Sequence, residues 1–275
     1  MRLAAVITCA FSLLAMQAEA APQRVVSINL CTDILALDLA APGQVSSVFR
    51  VSADPEDSPV VGLAKSLPLN NATAEEILSF KPDLVLAHSF SSSFTLELIR
   101  RAHVPVVQVS DAESFADVRA NVRLVAEAKG EAWIVRFDKA LAATARPLSA
   151  HPPRAVIYQD LGGAAAANTL LGALLTHTGF VNVIGESSGG GFVNLTIEDL
   201  IDKRPDFVAV GIYRPLEPSL AHEVLSHPAL KAYVAAHAQA IDLPAKLWTC
   251  GTPYVTDIAA RLAAARDALT APEFN

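Results

Sequence analysis

The chain has 275 residues, of which 52% are hydrophobic and 18% are charged, so it is long enough for one large or two ordinary domains and is unlike a disordered chain. Its formal net charge is −7, and it contains no run of Lys and Arg. This argues against a nucleic-acid-binding protein, because such a protein needs clustered positive charge to neutralise phosphates.

The first twenty residues have the pattern of a secretory signal peptide. Arg2 gives a positive start, residues 3–16 are apolar, and Ala18-Glu19-Ala20 is a small-x-small cleavage site. The apolar stretch is shorter than the ~20 residues that a membrane-spanning helix needs. We therefore expect an exported, soluble mature chain that begins at about Ala21.

The first half of the mature chain alternates between predicted strands and helices. Strands are predicted at 24–30, 45–51, 84–87 and 104–109, and helices at 34–41, 73–80 and 94–101. Residues 52–71 contain three prolines and are predicted to form a loop. This β-α alternation favours a mainly parallel sheet.

Residues 114–147 show no strand pattern and predict one long helix or two abutting helices. After His151-Pro152-Pro153 the alternation resumes. Strands are predicted at 155–158, 181–184, 207–210 and 240–243, helices at 169–178, 196–203 and 254–269, and loops at 185–191 and 247–253. The two halves thus repeat one order of elements around a helical middle.

One stretch occurs in both halves. Thr73-Ala-Glu-Glu-Ile-Leu-Ser-Phe-Lys-Pro-Asp-Leu-Val recurs as Thr196-Ile-Glu-Asp-Leu-Ile-Asp-Lys-Arg-Pro-Asp-Phe-Val. A Thr followed three residues later by an acid predicts a capped helix start, and the proline predicts a rapid end to the helix. The apolar run that follows predicts a buried strand. We interpret this helix, Pro-Asp turn and strand as one unit used twice, and hence as a sign of two similar lobes.

Each of these strands ends in a polar loop. His88 follows the first strand, and Tyr213 and Arg214 follow the second. Open α/β sheets bind ligands at the carboxyl ends of their strands, so the loops are expected to face a common cleft. A neutral His88 imidazole would coordinate iron or cobalt or hydrogen-bond a ligand, whereas the alternative is a surface or locally hydrogen-bonded histidine.

The second loop offers different chemistry. A Tyr213 phenolate would bind ferric iron and the Arg214 guanidinium would bind an anionic chelate, although packing on the surface would explain either residue equally well. Three further loop residues would suit a large, flat or apolar ligand. They are Arg50, Phe192 and Trp248.

Two cysteines follow the predicted signal peptide, Cys31 and Cys250. Three readings stay open, because spacing does not determine pairing: a disulfide, a soft-ligand role in the cleft, or two buried thiols. A disulfide between opposite lobes would clamp the cleft.

Gly185-Glu186-Ser187-Ser188-Gly189 matches the nucleophile elbow of serine hydrolases. More glycines follow this motif where an elbow would continue into a helix, so a mobile Gly/Ser loop is the favoured interpretation. An exported hydrolase that uses Ser187 is the rival class of function. No His-Glu-x-x-His or Cys-x-x-Cys motif indicates a zinc enzyme.

Taken together, residues 24–269 resemble the class III periplasmic substrate-binding proteins of bacterial ABC importers, which bind ferric siderophores, haem or cobalamin. The resemblance rests on Arg24-Val-Val-Ser with Thr32-Asp33 close behind, on both Lys/Arg-Pro-Asp-x-Val units, on the helical middle and on His227-Pro-Ala-Leu.

This resemblance implies two Rossmann-like α/β lobes with mainly parallel sheets, joined by a long rigid helix at about residues 133–147. The implied divisions are a signal peptide at 1–20, lobes at 21–128 and 150–275, and the inter-lobe helix at 129–149. It also implies a monomeric, non-enzymatic periplasmic protein without a prosthetic group. Its ligand would be a metal chelate captured between the lobes, favoured to be a siderophore or haem, with cobalamin as the alternative. Its partners would be an inner-membrane permease and ATPase.

In this family a glutamate on each lobe docks onto arginines of the permease. The negative net charge of this chain would favour such docking, because it attracts a basic surface. Glu198 matches the second of these glutamates. Ser93 falls nearest to the first, and Glu97, about one helical turn further on, is the expected substitute. Cobalamin binders resembling this chain carry an aromatic residue at the places of His88 and Phe192. The histidine at the former makes a contact with a metal more attractive.

Overall fold

The computed structural model describes residues 21–188, 191–214 and 223–270, so the predicted signal peptide lies outside the described residues. The first lobe contains β1 (Val25–Ser27), α1 (Leu30–Leu39), β2 (Val45–Phe49), α2 (Val61–Ala64), β3 (Leu69–Asn70), α3 (Ala74–Ser79), β4 (Leu84–His88), α4 (Ser93–Arg101), β5 (Val106–Val109) and α5 (Phe115–Val125). Its strands form one parallel sheet in the order β3-β2-β1-β4-β5.

A long helix, α6 (Glu127–Thr144), leads to the second lobe. This lobe contains β6 (Arg154–Gln159), β7 (Gly163–Ala165), α7 (Leu170–His177), β8 (Val181–Asn182), β9 (Phe192–Asn194), α8 (Ile197–Asp202), β10 (Phe207–Ile212), α9 (Glu223–Ser226), α10 (Pro228–His237), β11 (Gln239–Pro244) and α11 (Val255–Thr270). Its sheet has the order β11-β10-β6-β7-β9, and β8 also pairs with β6. The predicted α/β class with two mainly parallel sheets is confirmed.

The edge of the second sheet differs from the prediction. β7 pairs antiparallel with both β6 and β9, and β7 and β9 lie in stretches for which the sequence predicted no strand. The sequence of β7 is Gly-Ala-Ala, which lacks the β-branched and aromatic residues that mark strands. Residues 52–71, also predicted as a loop, contain the short α2 and the two-residue β3.

Helix α6 contacts both lobes. Ile134 packs with Leu35 and Val109 of the first lobe, whereas Phe137 and Leu141 pack in the core of the second lobe. The preceding α5 ends at Val125, and the extended backbone of Ala126 (φ −155°) separates the two helices. The helical middle is therefore two abutting helices, and α6 lies where the resemblance placed the inter-lobe helix.

The duplicated stretch begins a helix in both lobes, but the caps differ. The Thr196 hydroxyl accepts a hydrogen bond from the Asp199 backbone N–H at 3.1 Å, and the Asp199 carboxylate accepts one from the Thr196 N–H, which completes a capping box. The Thr73 side chain makes no such bond. In the first lobe the Glu76 carboxylate instead accepts from the backbone N–H of Asn71 at 2.7 Å.

The turn after each helix has the same geometry in both lobes. Lys81 and Arg204, which precede the prolines, have positive φ angles of 50° and 47°. Such angles are uncommon for residues other than glycine. An arginine at the start of the neighbouring strand holds the turn in each lobe: Arg24 donates to the Lys81 carbonyl at 3.1 Å, and Arg154 donates to the Arg204 carbonyl at 3.4 Å. The repeat in the sequence is therefore a repeat in three dimensions.

None of the described helices is both long and apolar enough to cross a membrane.

Candidate ligand cleft

The cleft lies between the carboxyl ends of the two sheets. Arg214, directly after β10, reaches the loop that follows β2 in the first lobe, where it forms an ion pair with Asp54 at 3.1 Å, a second with Asp57, and a longer one with Glu56 at 3.9 Å. Lys246 also crosses between the lobes and donates to the Pro55 carbonyl at 3.0 Å. The loops that follow β10 and β11 are therefore in contact with the loop that follows β2, whereas the loop predicted to face Tyr213 and Arg214 was the one after β4 that begins at His88.

His88 is the last residue of β4 and is only 3% exposed. Its Nδ1 accepts a hydrogen bond from the Phe90 N–H at 3.4 Å and lies 3.3 Å from the Ser89 hydroxyl, while its Nε2 lies 3.5 Å from the Asp111 carboxylate. Burial lowers the pKa of His88, and the Asp111 charge opposes this shift. The ring is therefore neutral at pH 7, and metal coordination through Nε2 would have to displace Asp111.

Aromatic rings line the second lobe's side of the cleft. Trp248 is buried, and its indole lies 6.3 Å from the Phe192 ring and 6.4 Å from the Tyr213 ring, centroid to centroid. Phe192 and Tyr213 are themselves exposed. Three of the residues predicted from the sequence thus form one aromatic wall, which suits a large, apolar ligand surface.

Two exposed apolar residues near the cleft were not predicted from the sequence. Phe90, whose ring lies 5.3 Å from that of His88, and Leu161, in the loop after β6, are each 77% exposed. Both lie just beyond the carboxyl end of a parallel strand, which is the signal that could have found them. Arg50 also lies at this edge, directly after β2, where it is exposed and its guanidinium lies 5.9 Å from the Phe49 ring.

The two cysteines form a disulfide. Cys31, in the first turn of α1, is bonded to Cys250, in the loop before α11, and the Cα atoms are 5.1 Å apart. The bond is packed among Ile34, Val60 and Tyr254, which come from both lobes. Of the three open readings, the structure shows the first. A soft-ligand role would require thiolates, which the disulfide does not provide.

The outer helices carry the candidate docking glutamates. Glu198 is exposed in the first turn of α8. Glu97 is exposed on α4 and forms an ion pair with Arg101 at 2.9 Å. Glu75, which the sequence analysis did not select, holds the same position in the first duplicated stretch as Glu198 holds in the second, and it is exposed in the first turn of α3. The repeat in the sequence is therefore the signal that could have identified Glu75 as a candidate docking residue.

Ser187 does not lie in a nucleophile elbow. Its backbone N–H and carbonyl both bond the Asn168 side chain, at 3.0 Å each. Beyond residues 189–190, which are not described, the chain continues into strand β9, whereas an elbow would lead into a helix. In the part of the chain that the structure describes, no group of three or more His, Cys, Asp or Glu side chains could hold a metal ion.

The fold, the duplicated lobes and the cleft define a bilobed substrate-binding protein. A family model described as "Periplasmic binding protein" matches residues 25–246, and the chain belongs to this family. Among curated proteins, an uncharacterised ABC transporter substrate-binding lipoprotein of Bacillus subtilis is 40% identical over 63 residues. That alignment spans 22% of this chain and only 20% of the relative's own length.

Solved structures with the same fold cover most of the chain. The periplasmic haem-binding protein BhuT, solved with two haems, matches with a TM-score of 0.67 and 24% identity over 88% of this chain and 98% of its own. The apo haem-binding protein RhuT of Roseiflexus sp. RS-1 has a TM-score of 0.67 and 23% identity over 89% and 99%. The vitamin B12-binding protein BtuF of Vibrio cholerae has a TM-score of 0.66 and 16% identity over 91% and 98%. These matches establish the likeness of fold.

Proposed function

We propose that this chain is a periplasmic solute-binding protein that captures an iron chelate, a siderophore or haem, between its two lobes and delivers it to an ABC transporter permease and its ATPase. The observation that carries the proposal is the exposed aromatic surface on both lobes. Exposed Phe90 on one lobe, and exposed Phe192 and Tyr213 beside buried Trp248 on the other, leave aromatic surface open to water at the carboxyl ends of both sheets. A flat, largely apolar ligand that entered the cleft would cover this surface.

The histidine supports an iron-containing ligand. A neutral imidazole is an iron ligand, and burial keeps His88 neutral. Tyr213, at the other side of the cleft, offers a phenolic oxygen for ferric iron. Cobalamin is the second candidate, because the aromatic wall would stack equally well on a corrin ring and because a vitamin B12-binding protein shares the fold.

Docking to the permease would use one glutamate from each lobe. Glu198 and Glu75 occupy equivalent positions of the duplicated unit, each exposed in the first turn of its helix. Two such carboxylates related by the repeat would present matched charges to a permease with two similar halves. Glu97 is the weaker candidate, since Arg101 already neutralises it.

Titration of the mature chain with haemin, cyanocobalamin and a ferric hydroxamate siderophore tests the proposal, because each ligand has a visible spectrum and quenches tryptophan fluorescence near Trp248. We expect saturable binding of one iron chelate, weakened at least 10-fold by Phe192→Ala. The matched control is Leu124→Ala, an exposed apolar residue near the end of α5 in the first lobe, a helix that supplies none of the candidate cleft residues. Saturable binding of cyanocobalamin alone would favour the second candidate, and failure of all three ligands would refute the proposal.

A further inference from the structure

Gln159 lies at the floor of the cleft. It is the last residue of β6, the strand that lies between β10 and β7 in the second sheet, and it pairs with Gly211 of β10. Strand side chains alternate between faces, so Gln159 shares the face of Ala155 and Ile157, which is the face against which Trp248 packs. A polar side chain therefore ends a row of core residues at the point where the sheet meets the cleft.

The amide nitrogen of Gln159 lacks a partner. This atom, Nε2, is fully buried and has no hydrogen-bond partner among the described residues. A buried donor without an acceptor is costly because it has lost its hydrogen bonds to water, and native proteins contain few of them. Neither the packing of the core nor the pairing of the strands requires a glutamine here, since an apolar side chain of the same length would avoid this cost.

Two glycines leave room around the amide. A Cβ on Gly211 would lie 3.1 Å from the Gln159 Cγ and 3.2 Å from the Trp248 ring, so this position admits a larger residue only if one of them moves. A Cβ on Gly163 would contact Phe192 at 3.6 Å and Gln159 at 4.0 Å. Gly211 and Gly163 thus each lie beside Gln159 on one side and beside a residue of the aromatic wall on the other.

The loop that follows Gln159 is also unusual. Leu161 combines a positive φ of 62° with a side chain that is 77% exposed. A left-handed backbone costs free energy for a residue with a Cβ, and an exposed leucine gains nothing from burial. A ligand that covered this loop would bury the Leu161 side chain and so offset the cost of its backbone conformation. The strained Leu161 and the unpartnered Gln159 nitrogen therefore both indicate a ligand at the end of β6.

We propose that Gln159 determines ligand specificity: its amide donates a hydrogen bond to an acceptor oxygen on the rim of the ligand, while Leu161 covers the adjacent apolar surface. The inference rests on the proposed function and extends it to the ligand's substituents. The terminal torsion of a glutamine is broad, so the amide can turn towards the cleft when the ligand arrives. The acceptor is a carboxylate or carboxamide oxygen, the first carried by haem and the second by cobalamin.

Two substitutions at Gln159 test the proposal by titration with haemin and with cyanocobalamin. Gln159→Leu removes the donor while keeping most of the volume, and we expect roughly 10-fold weaker binding of whichever ligand the wild type binds. Gln159→Glu places a carboxylate there. Gln159→Glu should weaken the binding of haemin more than Gln159→Leu does, because the new carboxylate repels the carboxylates of haem. It should weaken the binding of cyanocobalamin less than Gln159→Leu does, because a carboxamide of cobalamin can donate a hydrogen bond to the new carboxylate. The control is Gln239→Leu, an exposed glutamine at the opposite end of the same sheet.

The thermal midpoint of the ligand-free protein separates a ligand-binding role from a structural one. Because the amide is unpartnered, Gln159→Leu should leave this midpoint unchanged or raise it while affinity falls. A lower midpoint in the ligand-free protein, or wild-type affinity in Gln159→Leu, would overturn the inference while the proposed function stands. If the wild type binds neither haemin nor cyanocobalamin, the inference is overturned, whereas the proposed function fails only if the ferric hydroxamate siderophore does not bind either.

Discussion

Cys31 and Cys250 are 219 positions apart in the chain, and their disulfide joins the first helix of one lobe to the loop before the last helix of the other. A bond that closes so long a loop restricts the unfolded chain strongly, by about 5 kcal/mol in the chain-entropy model and typically 2–4 kcal/mol in measurements. We therefore expect Cys31→Ser/Cys250→Ser to lower the urea midpoint of unfolding. Reductant should lower the wild-type midpoint and leave the double variant unchanged.

Thiol counting provides an independent check of the disulfide. The mature protein, denatured without reductant, should show no reactive thiol, and two thiols after reduction. Two reactive thiols before reduction would contradict the pairing.

Arg214 holds the lobes together at the cleft. Its removal in Arg214→Gln would leave Asp54, Glu56 and Asp57 close together without their shared cation. We expect these carboxylates to repel one another and the ligand-free protein to open, with a larger radius of gyration in small-angle scattering at low salt. Added salt should reduce this difference by screening the repulsion. Because the disulfide limits opening, the difference should be larger when Cys31→Ser/Cys250→Ser is also present.

Arg101→Gln is the control for charge alone, since Arg101 pairs with Glu97 on the surface of one helix. It should leave the radius of gyration unchanged. An Arg214→Gln protein as compact as the wild type in both backgrounds would show that the ion pairs do not hold the lobes.

Asp33 makes the stability of the first lobe depend on pH. Burial raises its pKa to about 7, and the hydrogen bonds donated by Ser52 and by the Phe49 N–H only partly oppose this shift. The unfolded chain titrates near 3.8, so between these values the native state holds a proton that the unfolded state has lost. The retained proton therefore adds of the order of 4 kcal/mol to the free energy of unfolding. This stabilisation is fully present below about pH 4 and is lost as the pH rises through about 7.

Asp33→Asn stays neutral at every pH and lacks this titration. The free energy of unfolding of the wild type minus that of the variant should therefore decrease between pH 4 and pH 7 in urea titrations. Parallel stability curves would show that the carboxyl group is not protonated in the native state.

If Glu75 and Glu198 dock onto the permease, their removal should impair transport without impairing ligand binding. Glu75→Gln and Glu198→Gln should leave ligand affinity unchanged but reduce ligand-dependent stimulation of the cognate transporter's ATPase, and the double variant should reduce it most. Glu97→Gln is the matched control, because Glu97 already pairs with Arg101. If Glu97→Gln reduced the stimulation of the ATPase and Glu75→Gln did not, the first lobe would contact the permease through α4 rather than α3.

The sequence predicted the duplicated unit because its signals are local: a helix cap, a proline and an apolar run act within a few residues. Features set by distant partners were not predictable. Spacing could not pair Cys31 with Cys250, and nothing local marks the Gly-Ala-Ala strand that pairs with β6 and β9. Gln159 has an ordinary strand position in the sequence, and only the arrangement of its neighbours reveals its buried amide.

His88 is the residue whose role the chemistry of the ligand will decide. If its imidazole coordinates iron, His88→Ala should weaken haemin binding and also shift the visible absorption band of the bound haem, because an axial ligand sets that spectrum. His237→Ala, an exposed histidine at the end of α10, should change neither. Weaker binding with an unchanged spectrum would instead indicate that His88 only shapes the floor of the cleft.

The pH dependence of binding tests the same role. Coordination needs the neutral ring, and burial lowers the pKa of His88, so affinity should persist from pH 7 to below pH 6.5 and fall only as the pH drops through that lowered pKa. The Asp111 carboxylate raises the pKa of His88, so Asp111→Asn should move this loss to still lower pH. Asp111→Asn also removes the group that competes for Nε2, and affinity at pH 7 should therefore rise or stay equal. A loss of affinity that begins above pH 6.5 would contradict coordination by His88.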